Sequence, residues 1–366
     1  MTAGAGAKRL GAKATATMRD VAAQAGVALT TVSRAFSHPQ KLSPATLQRI
    51  ESAVNTLNYT INENARALRR RSTGIVLVLL PDIANPFFSR VLKGIEEVAR
   101  ESGRMMLIGD TGRSAGLREG YAAQLEARTV DAIILLDGAL PFRPGSLASA
   151  RVRLAPIVAL SERIDGPDVP YVGIDNERAA RDAVHHLADL GHRGIAHIAG
   201  PASSVLTAER RRGFEQGVRE RGLTCCGIVP GSFSVDSGRR AAEQILARPQ
   251  RPTALFAAND EMALGAILAL KAAGLGVPRD VSVVGFDDIE FAGLHDPALT
   301  TMRQPRREMG REAMQAIVTL LSGGELPSRT LILPHELVKR ASAGAAPSNA
   351  QGRARPPGRA ASPAPA

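Results

Sequence analysis

Cysteine is nearly absent from this sequence. The two that occur, Cys225 and Cys226, are neighbours. Adjacent cysteines cannot staple distant elements, and no metal-ligand spacing of Cys or His exists, so a disulfide framework and a structural zinc site are excluded. They read as ordinary small apolar residues of a protein kept in a reducing cytosol. No apolar run approaches the ~18 residues needed to cross a bilayer, so no membrane span is expected. The opening MTAGAGAKRLGAKATA lacks the apolar centre of a secretory signal. No glycine-rich phosphate loop follows a strand, no serine elbow occurs, and the seven His are scattered. The sequence therefore offers no catalytic constellation, and no enzyme activity, cofactor or metal is expected.

Positive charge is present and unevenly placed. Residues 1–72 hold 11 Lys and Arg against 3 Asp and Glu, residues 73–340 hold 32 of each, and residues 341–366 hold 3 Arg and no acid. A basic head on a neutral body points to a polyanionic partner for the head alone.

The hydrophobic pattern changes at the same place as the charge. Residues 1–16 read as a disordered basic arm, and 17–58 as three short helices. Thr17 and Ser43-Pro44 supply helix starts, and Gly26 supplies a stop. Leu47, Ile50, Val54 and Leu57 share one helical face. Residues 59–74 read as a connector able to form a short fourth helix. From Ile75 to about residue 340, short apolar runs alternate with helical stretches. They begin with IVLVLL (75–80) and end with VSVVGF (281–286), a helix at 306–322 and a strand at 330–334. Such alternation predicts α/β architecture with parallel strands buried on both faces. The units are too many for one sheet, so two doubly wound lobes are expected, with a break near 160–175. Residues 341–366, rich in Ala, Pro, Ser, Gly and Arg, are expected to be a disordered tail.

In MRDVAAQAGVALTTVSRAF (18–36), Ala22, Ala25 and Gly26 allow two helices to approach closely. Val21, Val27 and Val32 close a small core with Leu47 and Ile50. Leu29, Thr30, Thr31, Ser33 and Arg34 are left facing outward on the second helix, as residues suited to a DNA major groove.

This stretch, followed by LSPATLQRIESAVNTLNYTINENARAL, resembles the DNA-binding head of the LacI/GalR family of bacterial repressors. The resemblance continues through PDIANPFFSRVLKGIE, VGIDN, HIAG, ANDEMALGAI, VGFDD and LTTMRQP. Within the family, PDIANPFFSRVLKGIE and ANDEMALGAI look closest to the branch controlling nucleoside uptake. The resemblance implies an all-α helix-turn-helix head on a two-lobed core like a periplasmic binding protein. It implies a cytoplasmic homodimer on a near-palindromic double-stranded DNA operator, with a nucleoside or sugar effector in the interlobe cleft.

It also implies residue roles. Leu29, Thr30 and Arg34 would read bases, with Thr31 and Ser33 near phosphates. Asn62 would cap a hinge helix, Ala65 would meet the minor groove, and Leu68 would wedge into a base step, bending the DNA. Two departures bear on affinity. Ala28 stands where a Ser normally caps the second helix, and Ile61 stands where a Pro normally precedes the hinge.

Open parallel sheets bind ligands beyond the carboxyl ends of their strands. Phe87, Phe88, Asp137, Asn259 and Asp287 follow expected strands, and family position adds Arg210 and Gln304. These seven are the candidate effector residues. Asp260 and Asp288 read instead as helix caps. A solute-binding protein without DNA function is the alternative. It predicts a secretory signal and no basic head, and the sequence has the reverse.

Overall fold

The computed structural model describes residues 16–59, 72–127, 129–142, 155–164 and 168–348 of the chain. Two compact units divide it, residues 1–73 and 74–366.

The first unit is a helical trio. Helix α1 (Met18–Ala25) opens with a reciprocal box: the Thr17 hydroxyl accepts from the Asp20 N–H, and the Asp20 carboxylate accepts from the Thr17 N–H at 2.8 Å. It ends at Gly26, whose φ of 61° suits a residue without a Cβ. Helix α2 (Leu29–Ser37) follows, and then α3 (Pro44–Leu57), capped by Ser43. Val21, Val32 and Ile50 are buried between them, with Val27 and Leu47 packed alongside, as the sequence pattern predicts, and Tyr59 joins them. Ala28 occupies the N-cap of α2 and gives no side-chain hydrogen bond. The hinge candidates Asn62, Ala65 and Leu68 lie outside the described residues, as do the arm up to residue 15 and the chain beyond residue 348.

The second unit holds two six-stranded sheets. The first is built from β1 (Ile75–Leu80), β2 (Met105–Asp110), β3 (Ala132–Leu135), β4 (Ile157–Leu160), β5 (Tyr171–Ile174) and β11 (Thr330–Leu333), in the order β11-β5-β4-β3-β1-β2, all parallel. The second contains β6 (Gly194–Ala199), β7 (Thr224–Pro230), β8 (Ala254–Ala257), β9 (Ser282–Asp287), β10 (Thr300–Arg303) and β12 (Glu336–Val338), in the order β12-β10-β9-β8-β6-β7. Only β12 runs antiparallel. The helices are α4 (Phe87–Glu101), α5 (Ala115–Glu126), α6 (Asn176–Asp189), α7 (Val205–Glu220), α8 (Val235–Leu246), α9 (Asp260–Ala272), α10 (Glu290–Leu294) and α11 (Arg306–Leu321). Helices cover both faces of each sheet, which is why strands such as IVLVLL are apolar without alternation.

The chain passes between lobes three times: after β5, after β10 and after β11. The first passage, at residue 175, falls at the end of the expected 160–175, because Tyr171–Ile174 still pairs with β4 and β11. A short apolar strand carries no mark of which sheet it will join. After β10, helix α11 returns to the first lobe. It crosses α4 so closely that a Cβ on Gly94 would lie 2.0 Å from the Arg307 carbonyl oxygen, and one on Gly310 would lie 2.1 Å from that of Val91. The strands β10 and β12 are not apparent from hydrophobic pattern, being short and bearing Thr, Arg and Glu. Ordered structure also runs past the expected boundary at 340. Ser342 is fully buried, donating to the Val283 carbonyl at 2.6 Å, and the Ala346 N–H donates to Leu190. These ties are hydrogen bonds to residues distant in the chain, to which composition is blind.

Candidate functional site

Two surfaces gather the sequence candidates. On the head, Leu29, Thr30 and Arg34 are exposed on α2, with Thr31 and Ser33 half-buried beside them. Leu29 is 40% exposed although it is a large apolar side chain. An apolar residue left in water next to hydroxyls and a guanidinium on one short helix makes a surface able to read base edges.

On the body, a cleft of about 550 Å³, counting its open mouth, lies between the lobes. Five candidates line it: Phe87, Phe88, Arg210, Asn259 and Asp287. Arg210 is 2% exposed and rigidly held. Its Nε donates to Asn176 at 3.0 Å, its Nη1 donates to the Ala258 carbonyl at 2.5 Å, and its guanidinium lies 3.7 Å from the centre of the Phe286 ring. Asp287 faces it, with Oδ1 3.6 Å from Arg210 Nη1. A buried guanidinium needs such a partner, and stacking on an aromatic face adds to its stabilisation. Burial pushes the Asp287 carboxyl up to about 6, while Arg210, Arg306 and a bond from Gln304 hold it down.

Two candidates stand elsewhere. Gln304 sits behind Asp287 and donates to its Oδ1 at 2.7 Å. Asp137 is buried in the first lobe, where it accepts from the Thr111 hydroxyl at 2.7 Å and pairs with Arg118 at 3.0 Å. Neither lines the cleft. The helix caps are also redistributed. Asn259, not Asp260, caps α9, accepting from the Met262 N–H at 3.0 Å. Asp260 is fully buried and receives the Ile289 N–H at 2.8 Å and the Thr301 hydroxyl at 2.5 Å. Burial, with Asp287 nearby, drives its carboxyl well above the usual range. Asp288 pairs with Arg303 and Arg340 instead of capping α10.

The structure adds cleft residues that motif reading passed over: Arg113, Ser161, Glu162 and Phe233. Glu162 accepts from Arg113 Nη2 at 2.8 Å and from the Ser204 hydroxyl of the other lobe at 3.3 Å. Arg113 also lies 5.9 Å from the Phe233 ring centre, again across the lobes. All of these follow a strand's carboxyl end, so the strand-end rule would have found them had it been applied to β2, β4 and β7. Backbone strain marks the same place. Six described residues other than glycine have positive φ, and four of them, Arg113, Ser161, Phe233 and Asp287, line this cleft. Left-handed backbone is costly for such residues and concentrates where function demands a particular side-chain direction.

The head matches the model for "Bacterial regulatory proteins, lacI family" over residues 17–62, and the body matches the "Periplasmic binding protein-like domain" over residues 184–343. The HTH-type transcriptional repressor CytR of Escherichia coli (strain K12) is 39% identical over 334 residues, covering 91% of this chain and 97% of the relative. The chain belongs to the LacI family. As a LacI family protein it is a ligand-responsive transcriptional regulator that binds DNA. Among solved structures, the lac repressor dimer bound to operator and the anti-inducer ONPF superposes with a TM-score of 0.81 at 30% identity, covering 90% of this chain and 99% of that one. The CelR–cellobiose complex superposes with a TM-score of 0.67 at 32% identity, covering 89% and 99%. No described helix is long and apolar enough to cross a membrane.

Proposed function

We propose that this LacI family protein represses transcription from the cytoplasm as a homodimer on a near-palindromic operator, and that a nucleoside or sugar in the interlobe cleft sets its grip. It carries out no reaction of its own. Leu29, Thr30 and Arg34 contact base edges, and Thr31 and Ser33 contact phosphates. Asn62, Ala65 and Leu68 form the hinge that reaches the minor groove. The observation that carries the effector reading is the buried Arg210–Asp287 pair at the wall of a cleft flanked by Phe87, Phe88 and Phe233. Arg210 and Gln304 both engage Oδ1 of Asp287, so Oδ2 is the acceptor for a sugar hydroxyl. An aromatic ring then covers a base or the sugar's apolar face.

The effector bridges lobes that are already linked by Glu162–Ser204 and Arg113–Phe233. It therefore favours one lobe angle by its differential affinity for that state. Linkage requires the reverse as well: operator changes effector affinity by the same factor.

Calorimetric titration of the full chain with cytidine, adenosine, ribose and cellobiose tests this reading. Saturable binding of a nucleoside or a sugar, lost in Asp287→Ala, is the expected result. No heat from any of the four would remove the effector assignment. A basic three-helix head is needless in a pure solute-binding protein. Failure of the full chain to prefer any duplex over random competitor DNA would restore that alternative.

A further inference from the structure

A second concave site lies apart from the effector cleft, where β10 hands over to α11. Arg90, Asp288, Arg303, Gln304, Pro305, Arg306, Arg307, Glu308 and Arg311 line it, so five arginines meet two carboxylates. Both lobes contribute. Arg90, Arg307 and Arg311 stand on the packed pair α4 and α11, while Arg303 and Asp288 belong to the second sheet and its loop.

Four of these arginines already hold carboxylates. Arg90 pairs with Glu290, Arg303 with Asp288 and Glu336, and Arg307 and Arg311 with Glu97. Most of these cations are partly exposed. The Arg90–Glu290 pair is exposed on both sides and contributes little stability, so its cation is free to turn to another anion. Glu97 is buried against Arg307 and Arg311, of which Arg307 remains largely exposed.

Arg306 differs. It is 9% exposed, and its Nη2 donates to the Asp288 carbonyl at 2.6 Å. Its Nη1 is buried and has no hydrogen-bond partner among the described residues. Asp287, Asp260 and Asp288 lie near enough to favour its charge, but a buried guanidinium nitrogen without a hydrogen-bond acceptor is still costly.

Arg306 is also the first residue of α11, a 16-residue helix whose N-cap, Pro305, supplies no side-chain acceptor. The first-turn N–H groups of a helix lack intrahelical acceptors, and the helix dipole adds positive potential at that end. The Arg306 N–H donates to the Gln304 carbonyl at 2.8 Å, and the first-turn N–H groups beyond it, with guanidinium forks beside them, suit an anion such as a phosphoryl group.

We propose that this hollow binds the phosphoryl group of a small phosphate monoester, held by Arg306, Arg90, Arg307 and the N-terminus of α11. Because the lobes share it, an occupant would exchange with the Arg90–Glu290 pair that joins α4 to α10. Gln304 lines this hollow and bonds Asp287 in the effector cleft, so the two sites are one side chain apart. The proposal does not depend on what the effector is.

Calorimetric titration of the full chain with glycerol 3-phosphate and with inorganic phosphate, at ionic strength matched by chloride, tests it. Saturable binding of glycerol 3-phosphate is expected, no weaker than that of inorganic phosphate. It should fall about tenfold or more in Arg306→Gln, the loss expected when a charge-assisted contact is removed. Arg90→Gln/Arg307→Gln changes only partly exposed side chains and should show a loss of similar size if Arg306→Gln does not fold. Heats indistinguishable from the chloride control would overturn the site. So would unaltered affinity in the folded variants, which would place the binding elsewhere, such as on the basic head. Binding of inorganic phosphate alone would overturn the monoester assignment.

Discussion

Gln304 donates its side-chain amide to Asp287 at 2.7 Å and lies just past β10, at the second passage between lobes. The carboxylate facing the cleft is thus tied to the segment that links the two lobes. Its backbone is strained as well, with a φ of 113°. The charge state of Asp287 therefore bears on both ligand and fold.

The first prediction concerns pH. The Asp287 carboxyl is raised from its ordinary 3.8 to about 6, chiefly by burial. The folded chain holds this proton more tightly than the unfolded chain does. Stability contributed by Asp287 therefore falls as pH rises from about 4 to about 6. Asp287→Asn removes that titration. The melting temperature of the wild type relative to this variant should drop across that window. A constant or rising offset in calorimetry would contradict the assignment.

A second prediction concerns base reading. Arg34 is exposed on α2. Its replacement by Ala should cost about 1–3 kcal/mol of specific operator affinity and leave nonspecific binding much less affected. Competition binding in two DNA backgrounds measures both, and an equal loss in each would count against base contact.

The third follows from the missing cap. Ala28 has extended backbone, φ −68° and ψ 150°, which is the conformation of an N-cap residue. Ala28→Ser needs no backbone change and should stabilise the head by about 1 kcal/mol. Circular dichroism melting of the head should show the gain, and an unchanged midpoint would mean that the hydroxyl does not reach the first-turn N–H groups.

A fourth tests the helix crossing. Gly94→Ala places a methyl group against the Arg307 carbonyl, where backbone rather than a pliable side chain must move. The expected loss is about 3 kcal/mol by chemical denaturation. Full stability in the variant would show that α4 and α11 can separate freely.

Much of the fold was legible in the residues. The caps Thr17 and Ser43, the stop at Gly26 and the apolar strands depend on near neighbours, and local rules read them correctly. Strands β10 and β12 escaped because Thr300–Arg303 and Glu336–Val338 take their places from partners far along the chain. In the cleft, Arg210 was accessible through family position and Asp287 through its place after a strand. Asp137 was drawn in by the strand-end rule, which cannot tell a carboxylate facing a cleft from one engaged by Thr111 and Arg118. Glu162, Arg113 and Phe233 also follow strand ends, but no motif marks them.

The order of residues alone determined a basic helical head, a net-neutral α/β body and membership of one family, since charge, periodicity and motif spacing are local or additive properties. Tertiary structure decided which lobe each strand joins, which of the strand-end carboxylates look into the cleft, and that Gln304 stands behind Asp287 instead of beside it. Those choices depend on burial and on hydrogen bonds between residues distant in the chain, and such energies exist only once the lobes have packed.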